Sequence, residues 1–582
     1  MVKFKLMTAY RSKTFARLVD GVTFLFLVLV HFICLKFVQG FDFYGDQGPR
    51  WLSLVVSCFP VLFFYFASRV LLGPLCAFFL VASIETALNI AHMTKVSILF
   101  EALSWADISE PTNLSIITHY LHSWHIGLII VFLVGWLVSY QIDKRLIRNS
   151  SARRLFYFAL ALLFFPTVFY THLIALPNPL AKSINNLLEK HGVIGLSPNW
   201  VKNVRFVGLP YHLILTSKIK MPEVPTDEHK ELFRKISEDN IQNFSRPRKI
   251  ILVLCESCWF DKNNFSDVFE PLRKRGFGEF RSISPAYGGA TPNAAFEVLT
   301  GLPAQNETLR GVIYQEYASS IDKKAHALPR HLLDLGYRTI ALHNYDKHFW
   351  HRHIVNPKFG FEKFVGIQDM EAEWSGWPED SILYEHALKA LKEHHDEPLF
   401  MYLTTVYTHG PYENNRGDLG ARDYRTRAAK AIQELSKFVD QVSKVHPDTL
   451  FIVYGDHKPA LNDYFLKNGV LKEGEPFGSK RWEPIGDVPI FIRASDPEKV
   501  NRVLKAASGL PFFCMSEIID EEFLRSGVPA FNFSRQEKLC TDYKNKGYGF
   551  YKTAYPNWLY ALSLFPNQKS KLTLRLHSLL DF

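Results

Sequence analysis

Five apolar stretches, at residues 22–38, 51–72, 73–92, 124–140 and 155–176, crowd into the first third of the chain. A helix needs about 20 residues to cross about 30 Å of hydrocarbon, so the first and fourth stretches must borrow flanking residues. A single run of this kind could be a buried core helix. Five in succession predict a transmembrane domain over residues 1–176.

The loops give that domain a direction. Lys3, Lys5, Arg11, Lys13 and Arg17 precede the first stretch, and Lys144, Arg145, Arg148, Arg153 and Arg154 separate the fourth from the fifth. Loop 39–50 instead sets Asp42 and Asp46 against Arg50, and segment 93–123 sets Glu101, Asp107 and Glu110 against Lys95. Lys/Arg-rich loops stay cytoplasmic. Five spans that start inside end outside, so a multi-pass protein of the cell (inner) membrane is expected, its remainder in the periplasm or outside the cell. No small-residue cleavage site follows the first stretch, which marks it as an anchor rather than a removable signal. Glu85 and His92 lie in or beside the third stretch, where they could meet a lipid head group or a partner helix, or simply lie near the interface.

Charge follows the same division. Of 67 basic and 57 acidic side chains, 14 and 8 lie in the first 175 residues, leaving 53 and 49 for the rest. The net charge of +10 therefore largely records membrane orientation. With no basic run in the soluble part, nucleic acid is not an expected partner.

Residues 177–248 read as an extracytoplasmic connector, with Pro177, Pro179, Pro198, Pro210, Pro222 and Pro225 and a polar, helical middle at 227–241. Beyond it, residues 249–582 read as an α/β domain. Short apolar or β-branched runs at 249–255, 337–342, 399–406, 449–454 and 488–493 alternate with helical periodicity at 380–393 and 422–445. That alternation implies a mainly parallel sheet covered by helices. Ligands bind such sheets beyond the carboxyl ends of the strands. Glu256 follows the first run, His343 and Asn344 the second, Thr408 and His409 the third, and Asp456 and His457 the fourth.

Two carboxylates and an imidazole from Glu256, Asp456 and His457 suit a divalent cation such as Mn²⁺, Mg²⁺ or Zn²⁺. A fourth ligand could come from Gly288-Gly289-Ala290-Thr291-Pro292-Asn293, which leads into a helix at 292–299. Thr is favoured as an N-cap and Pro at the first helical position, which places Thr291 at a helix N-terminus. Such a terminus favours anions. Thr291 is thus either a cap or a reactive hydroxyl, and the metal ligands elsewhere in the chain favour the second.

The order Leu-Cys-Glu-Ser (254–257), Gly-Gly-Ala-Thr-Pro-Asn (288–293), His-Asn-Tyr (343–345), Phe-Trp-His-Arg (349–352), Thr-His-Gly-Pro-Tyr (408–412) and Tyr-Gly-Asp-His (454–457) resembles the lipoteichoic acid synthase type of membrane sulfatase-like enzyme. These phosphoglycerol transferases belong to the alkaline phosphatase superfamily. The resemblance implies one metal ion, Mn²⁺ first, held by Glu256, Thr291, Asp456 and His457, with Thr291 as nucleophile. It implies that Trp350, Arg352 and His409 bind the substrate head group, with His343 as a weaker member of that shell. A phospholipid donor, phosphatidylglycerol before phosphatidylethanolamine, and a glycan or glycerophosphate acceptor follow from it. A phosphoethanolamine transferase, a phosphodiesterase and a scaffold with a decayed site are the rivals.

The family's acidic residue after the arginine is replaced by His353, and His348, His351 and His353 crowd one stretch, read here as loop histidines in solvent. Lys458 is another departure. Sulfatases proper need Cys or Ser in a C/S-x-P-x-R motif; Ala-Thr-Pro-Asn-Ala (290–294) excludes sulfate ester hydrolysis by that route. Cys255-x-x-Cys258 invites a redox or zinc reading, but three positions along a strand put side chains on opposite faces. Cys34, Cys58 and Cys76 lie in spans as packing residues, while Cys514 and Cys540 could pair.

Overall fold

The computed structural model describes residues 13–41, 43–45, 48–49, 51–99, 102–109, 123–146, 151–169, 200–217, 221–237, 244–304, 306, 308–370, 376–412, 417–476, 481–541, 547 and 551–567. The expectations for Lys3, Lys5, Arg11 and Arg148, and for the end of the fifth stretch, lie outside these residues. The chain gathers into two compact units, Met1–Ser97 with Glu101–Ile219, and Lys220–Phe582 with Ile98–Phe100.

The first unit is helical: α1 (Lys13–Ile33), α2 (Trp51–Leu71), α3 (Pro74–Leu99), α4 (Ser123–Leu146), α5 (Ser151–Phe169), and the short α6 (Trp200–Val207) and α7 (Leu209–Thr216). All five expected stretches are helical within the described residues. Three, rather than five, are long and apolar enough among the described residues to cross a membrane: Leu18–Val38, Trp51–Leu71 and Pro74–Ser97. That number covers the described residues alone: some side chains at both ends of α4 lie outside them, and α5 is described only as far as Phe169. The three apolar helices suggest membrane anchoring. Between them Glu85 has the partner-helix environment, paired with His31 of α1, and His92 accepts the Leu103 N–H through Nδ1 at 3.3 Å.

The second unit opens with α8 (Asp227–Ser237), the polar helix of the connector. Its sheet has eight strands: β1 (Lys249–Cys255), β2 (Gly278–Ile283), β3 (Arg338–His343), β4 (Lys363–Val365), β5 (Leu399–Thr404), β6 (Leu450–Gly455), β7 (Asp487–Arg493) and β8 (Leu510–Pro511). They lie in the order β8-β2-β7-β6-β1-β5-β3-β4, and only β7 runs against its neighbours. The expectation of a mainly parallel sheet therefore holds. β1, β5 and β6 are buried along their whole length, as central parallel strands covered on both faces must be. β2, β4 and β8 went unread in the sequence: two are very short, and β2 (Gly-Glu-Phe-Arg-Ser-Ile) lacks a continuous apolar run.

This topology also explains why the fifth expected run contributed no chemical residues. β7 is antiparallel to β6, so its carboxyl end lies at the opposite edge from those of β1, β3, β5 and β6. Beside the carboxyl ends of β1 and β6 begins α9 (Thr291–Thr300), which is buried at every position. It is followed by α10 (Arg352–Phe359), α11 (Asp380–Glu393) and α12 (Gly417–Val445), the last two being the helices expected from periodicity.

Candidate active site

Parallel register brings the ends of β1 and β6 side by side, with Cys255 opposite Gly455. Their next residues, Glu256, Asp456 and His457, form the one grouping of three or more potential metal ligands among the described residues, with ligand atoms within 4.8 Å of one another. All three are buried.

Thr291 completes the set. The helix cap is Ala290, held left-handed at φ 59°, while Thr291 is the first helical residue and makes no capping bond. Its hydroxyl turns to the ligands instead, donating to Glu256 Oε2 at 3.1 Å, with His457 Nε2 at 3.3 Å. The expectation of a threonine cap is thereby corrected, in the direction of a reactive hydroxyl.

The donor set fits a divalent cation. His457 gives its Nδ1–H to the Lys458 carbonyl at 2.9 Å, so its Nε2 lone pair points inward. There it faces Asp456 Oδ2 at 3.2 Å and Glu256 Oε1 at 3.5 Å. Asp456 Oδ2 is buried and without a hydrogen bond of its own. Converging lone pairs in a buried space repel unless a cation lies among them. Burial, with Glu256 second, pushes the Asp456 carboxyl well above its ordinary range, the signature of a carboxylate lacking compensating charge.

A second group lies on β3, β5 and the loop before α10. Arg352 is buried, and no carboxylate pairs with it among the described residues; its Nη1 makes only long contacts to His343 Nε2 (3.5 Å) and the Phe349 carbonyl (3.4 Å). Burial lowers its pKa. A guanidinium in that state is available to an anion. His343 donates from Nδ1 to the Thr404 carbonyl at 2.9 Å, and burial followed by the charge of Arg352 holds it well below the usual histidine range. His409 donates from Nδ1 to the Gly410 carbonyl at 2.6 Å, stacks on Trp377 (4.1 Å between centroids) and is pushed down to about 4 by burial. Both rings are therefore neutral, and each offers Nε2 as an acceptor. Trp350 lies in the same loop, left-handed at φ 55°, its ring 5.2 Å from that of Phe349.

Several expectations need correction. Cys255 and Cys258 form a disulfide, because β1 ends at Cys255 and Ser257 turns left-handed at φ 52°, so strand alternation does not reach Cys258. His351 is buried rather than solvated, while His348 pairs with Asp346 at 3.0 Å. Lys458 is buried and faces away from the ligands: it donates to the Asp487 carbonyl at 2.6 Å, lies over the Trp259 ring, and is pushed down to about 7 by burial. Cys514 and Cys540 are bridged.

Sequence reasoning missed Thr405 and Ser284, and singled out Thr408 without its part in holding a ligand. Thr405 accepts the Glu256 N–H at 2.9 Å, Thr408 donates to the Glu256 carbonyl, and Ser284 donates to the Asp456 carbonyl. Asp380 accepts from Asn344, Val406 and Tyr407, tying the ends of β3 and β5 together. Its position at the start of a helix carried no signal for that role.

Residues 248–513 match the family model for Sulfatase. The chain is 30% identical over 207 residues to a putative cyclic β-1,2-glucan modification protein of Rhizobium meliloti, covering 33% of this chain and 32% of that one. It is 26% identical over 305 residues to the capsular polysaccharide biosynthesis protein RkpI of the same organism, covering 49% and 54%. The chain thus spans about a third and about half of the lengths of these relatives. Among solved structures, the Streptococcus pyogenes phosphoglycerol transferase GacH, in complex with sn-glycerol-1-phosphate, is 19% identical with a TM-score of 0.41, covering 62% of this chain and 98% of that one. The matched region lies within the sheet domain, which is thus similar to the Sulfatase family over residues 248–513.

Proposed function

We propose that this sulfatase-like enzyme of the alkaline phosphatase superfamily is a membrane-bound transferase that moves a phospho-alcohol group outside the cytoplasm. The donor is a phospholipid, phosphatidylglycerol first, and the acceptor is a glycan or a glycerophosphate chain. The observation that carries this reading is the Thr291 hydroxyl, released from helix capping and aimed at Glu256 and His457. Glu256, Thr291, Asp456 and His457 would hold one divalent ion, Mn²⁺ first. Bound there, such an ion polarises a phosphoryl oxygen and favours the threonine alkoxide.

The chain's own residues do the rest. Thr291 Oγ1 attacks the donor phosphorus with Glu256 Oε2 in reach of its proton. The bond from phosphorus to the diacylglycerol oxygen breaks, and that oxygen is protonated as it leaves. The phosphothreonine diester then passes its group to the acceptor hydroxyl, and Thr291 regains its proton. The buried, carboxylate-free Arg352 binds the phosphoryl oxygens, and the neutral His409 accepts from a head-group hydroxyl, with Trp350 and His343 closing the pocket. Five spans starting from a cytoplasmic N-terminus, as the loop charges suggest, support an outer-side position for this domain, where the donor's head groups lie. The names of the two curated relatives, one a glucan modification protein and one a capsular polysaccharide biosynthesis protein, support a glycan acceptor.

Phosphoethanolamine from phosphatidylethanolamine is the second reading. It gains support from the bridging of all four cysteines of the sheet domain. The test offers the full-length protein each lipid separately in mixed micelles, with and without Mn²⁺, and follows diacylglycerol release. Turnover of one lipid, falling about 10³-fold or more in Thr291→Ala, is the expected result. Turnover of neither lipid, or undiminished activity without Thr291, rejects the proposal.

A further inference from the structure

Ser257 takes no part in the chemistry proposed above, yet it fills the space between the two ligand carboxylates. β1 ends at Cys255, and Ser257 turns back at φ 52°, a left-handed conformation uncommon for a residue with a Cβ. The Cys258 N–H returns to the Cys255 carbonyl at 3.2 Å, and the disulfide closes this turn with the two Cα atoms 5.4 Å apart. The turn is seated on the end of β6 without clearance: a Cβ on Gly455 would meet the Cys258 carbonyl oxygen at 2.0 Å.

From that position one residue serves both carboxylates. The Ser257 N–H donates to Asp456 Oδ1 at 2.7 Å, and its hydroxyl donates to Glu256 Oε1 at 2.9 Å. Its carbonyl accepts from the Tyr424 hydroxyl at 3.0 Å, which fixes the peptide plane. One oxygen of each carboxylate is thus occupied. Of the other two, Glu256 Oε2 accepts from Thr291 and Asp456 Oδ2 is unbonded; Glu256 Oε1, besides its bond to Ser257, also lies 3.5 Å from His457 Nε2.

We infer that the turn from Cys255 to Cys258 is a clamp for the metal centre, in which the disulfide holds Ser257 left-handed and Ser257, as a positioning residue, aims one oxygen of each carboxylate at the ion. The inference rests on the metal site proposed above. Forming the bridge removes two protons and two electrons from the thiols, taken up by a disulfide-donating thiol oxidoreductase that is itself reduced to its dithiol. Disulfides persist in oxidising compartments and are rare in the cytosol. Full metal affinity is therefore reached only after the domain has left the cytoplasm, and the lipid-consuming centre stays weak until then.

The test titrates Mn²⁺ calorimetrically into chelator-stripped full-length protein. Ser257→Gly keeps the left-handed turn and the N–H and removes only the hydroxyl; paired Cys255→Ser and Cys258→Ser changes open the bridge; Cys514→Ser with Cys540→Ser opens the other one as a control. The expected result is a loss of Mn²⁺ affinity of about 10–100-fold in the first two variants, the size found when groups that orient metal ligands are removed. The control should keep wild-type affinity. Wild-type affinity in Ser257→Gly, or an equal loss in the control, overturns the clamp. Should the opened Cys255–Cys258 variant fail to fold, Ser257→Gly decides alone. Absence of Mn²⁺ binding in the wild-type protein rejects the metal site itself, and the clamp with it.

Discussion

In the helical unit a buried histidine meets a buried carboxylate, His31 Nδ1 on Glu85 Oε1, and in the sheet domain another does, His457 beside Glu256 and Asp456. In the first pair the histidine is engaged at both nitrogens, while Glu85 Oε2 is buried without a hydrogen bond. His31 has Ser57 on its other nitrogen at 3.3 Å, and nearby Gln39 donates to Asn89 at 2.8 Å, so these polar groups stitch helices together. The second is left open. His457 commits Nδ1 to a carbonyl and turns its lone pair, with those of two carboxylates, onto one point. The two settings thus differ in the histidine: His31 has a partner on each nitrogen, whereas His457 keeps an Nε2 lone pair directed at two carboxylates. The surroundings differ in the same sense. Leu25, Phe37 and Leu163 of the helical unit are 66%, 77% and 67% exposed, while the sheet domain closes one continuous core around its site.

This contrast can be broken from either side. Chelation should have the largest effect: stripping divalent metal abolishes diacylglycerol release, and Mn²⁺ restores it. At 100 times its dissociation constant, Mn²⁺ should also stabilise the sheet domain by about 2.7 kcal/mol, read as a rise in melting temperature. A melting temperature indifferent to metal would place His457 with His31 among the structural pairs.

Arg352→Lys keeps the charge and removes the planar fork. Steady-state kinetics should show kcat/KM down by about 100-fold, since bidentate phosphate recognition is lost. A change below twofold would make Arg352 a packing residue.

His409 sharpens the contrast through pH. Its folded value near 4 lies below the ordinary 6.5, so the unfolded chain binds the extra proton between those values. The stability it contributes is complete above about pH 6.5 and is lost as pH falls toward 4, by about 3 kcal/mol. Chemical denaturation across that window should show this slope, and His409→Gln should flatten it.

Glu85→Ala probes the helical unit and should do least. Polar contacts between membrane helices average about 0.6 kcal/mol with a maximum of about 1.7 kcal/mol, so detergent-solubilised protein should unfold slightly more easily. Turnover of a soluble phosphodiester should be unchanged, and a loss above tenfold would give Glu85 a chemical role.

How much could be read in advance varied from residue to residue. The strands at 249–255, 399–406 and 449–454 were visible because a central parallel strand is apolar on both faces, and the ligands at their ends were visible because such strands must stop in something polar. β2 was invisible because its Glu279 and Arg281 break the apolar run, and both engage partners that sequence does not reveal, Arg273 and Asp487. The error at Cys255-x-x-Cys258 came from extending strand alternation two residues past the strand's end, where a left-handed serine reverses the chain. N-cap preference puts Thr291 at the right helix end but one position early, since it cannot show that Ala290 takes the cap.

The sequence by itself determined the division into an apolar helical part and an α/β part, the parallel character of the sheet, and the edge at which the chemical residues gather. These follow from periodicity and from where apolar runs stop, both local properties of the chain. Only the tertiary structure decided that Thr291 faces the ligands, that Arg352 is buried without a carboxylate, and that Ser257 bridges Glu256 and Asp456. The first and third depend on residues tens to hundreds of positions apart meeting at hydrogen-bond distance, the second on no described carboxylate doing so, and the direction of a side chain toward such a partner is fixed by packing rather than by its neighbours in sequence.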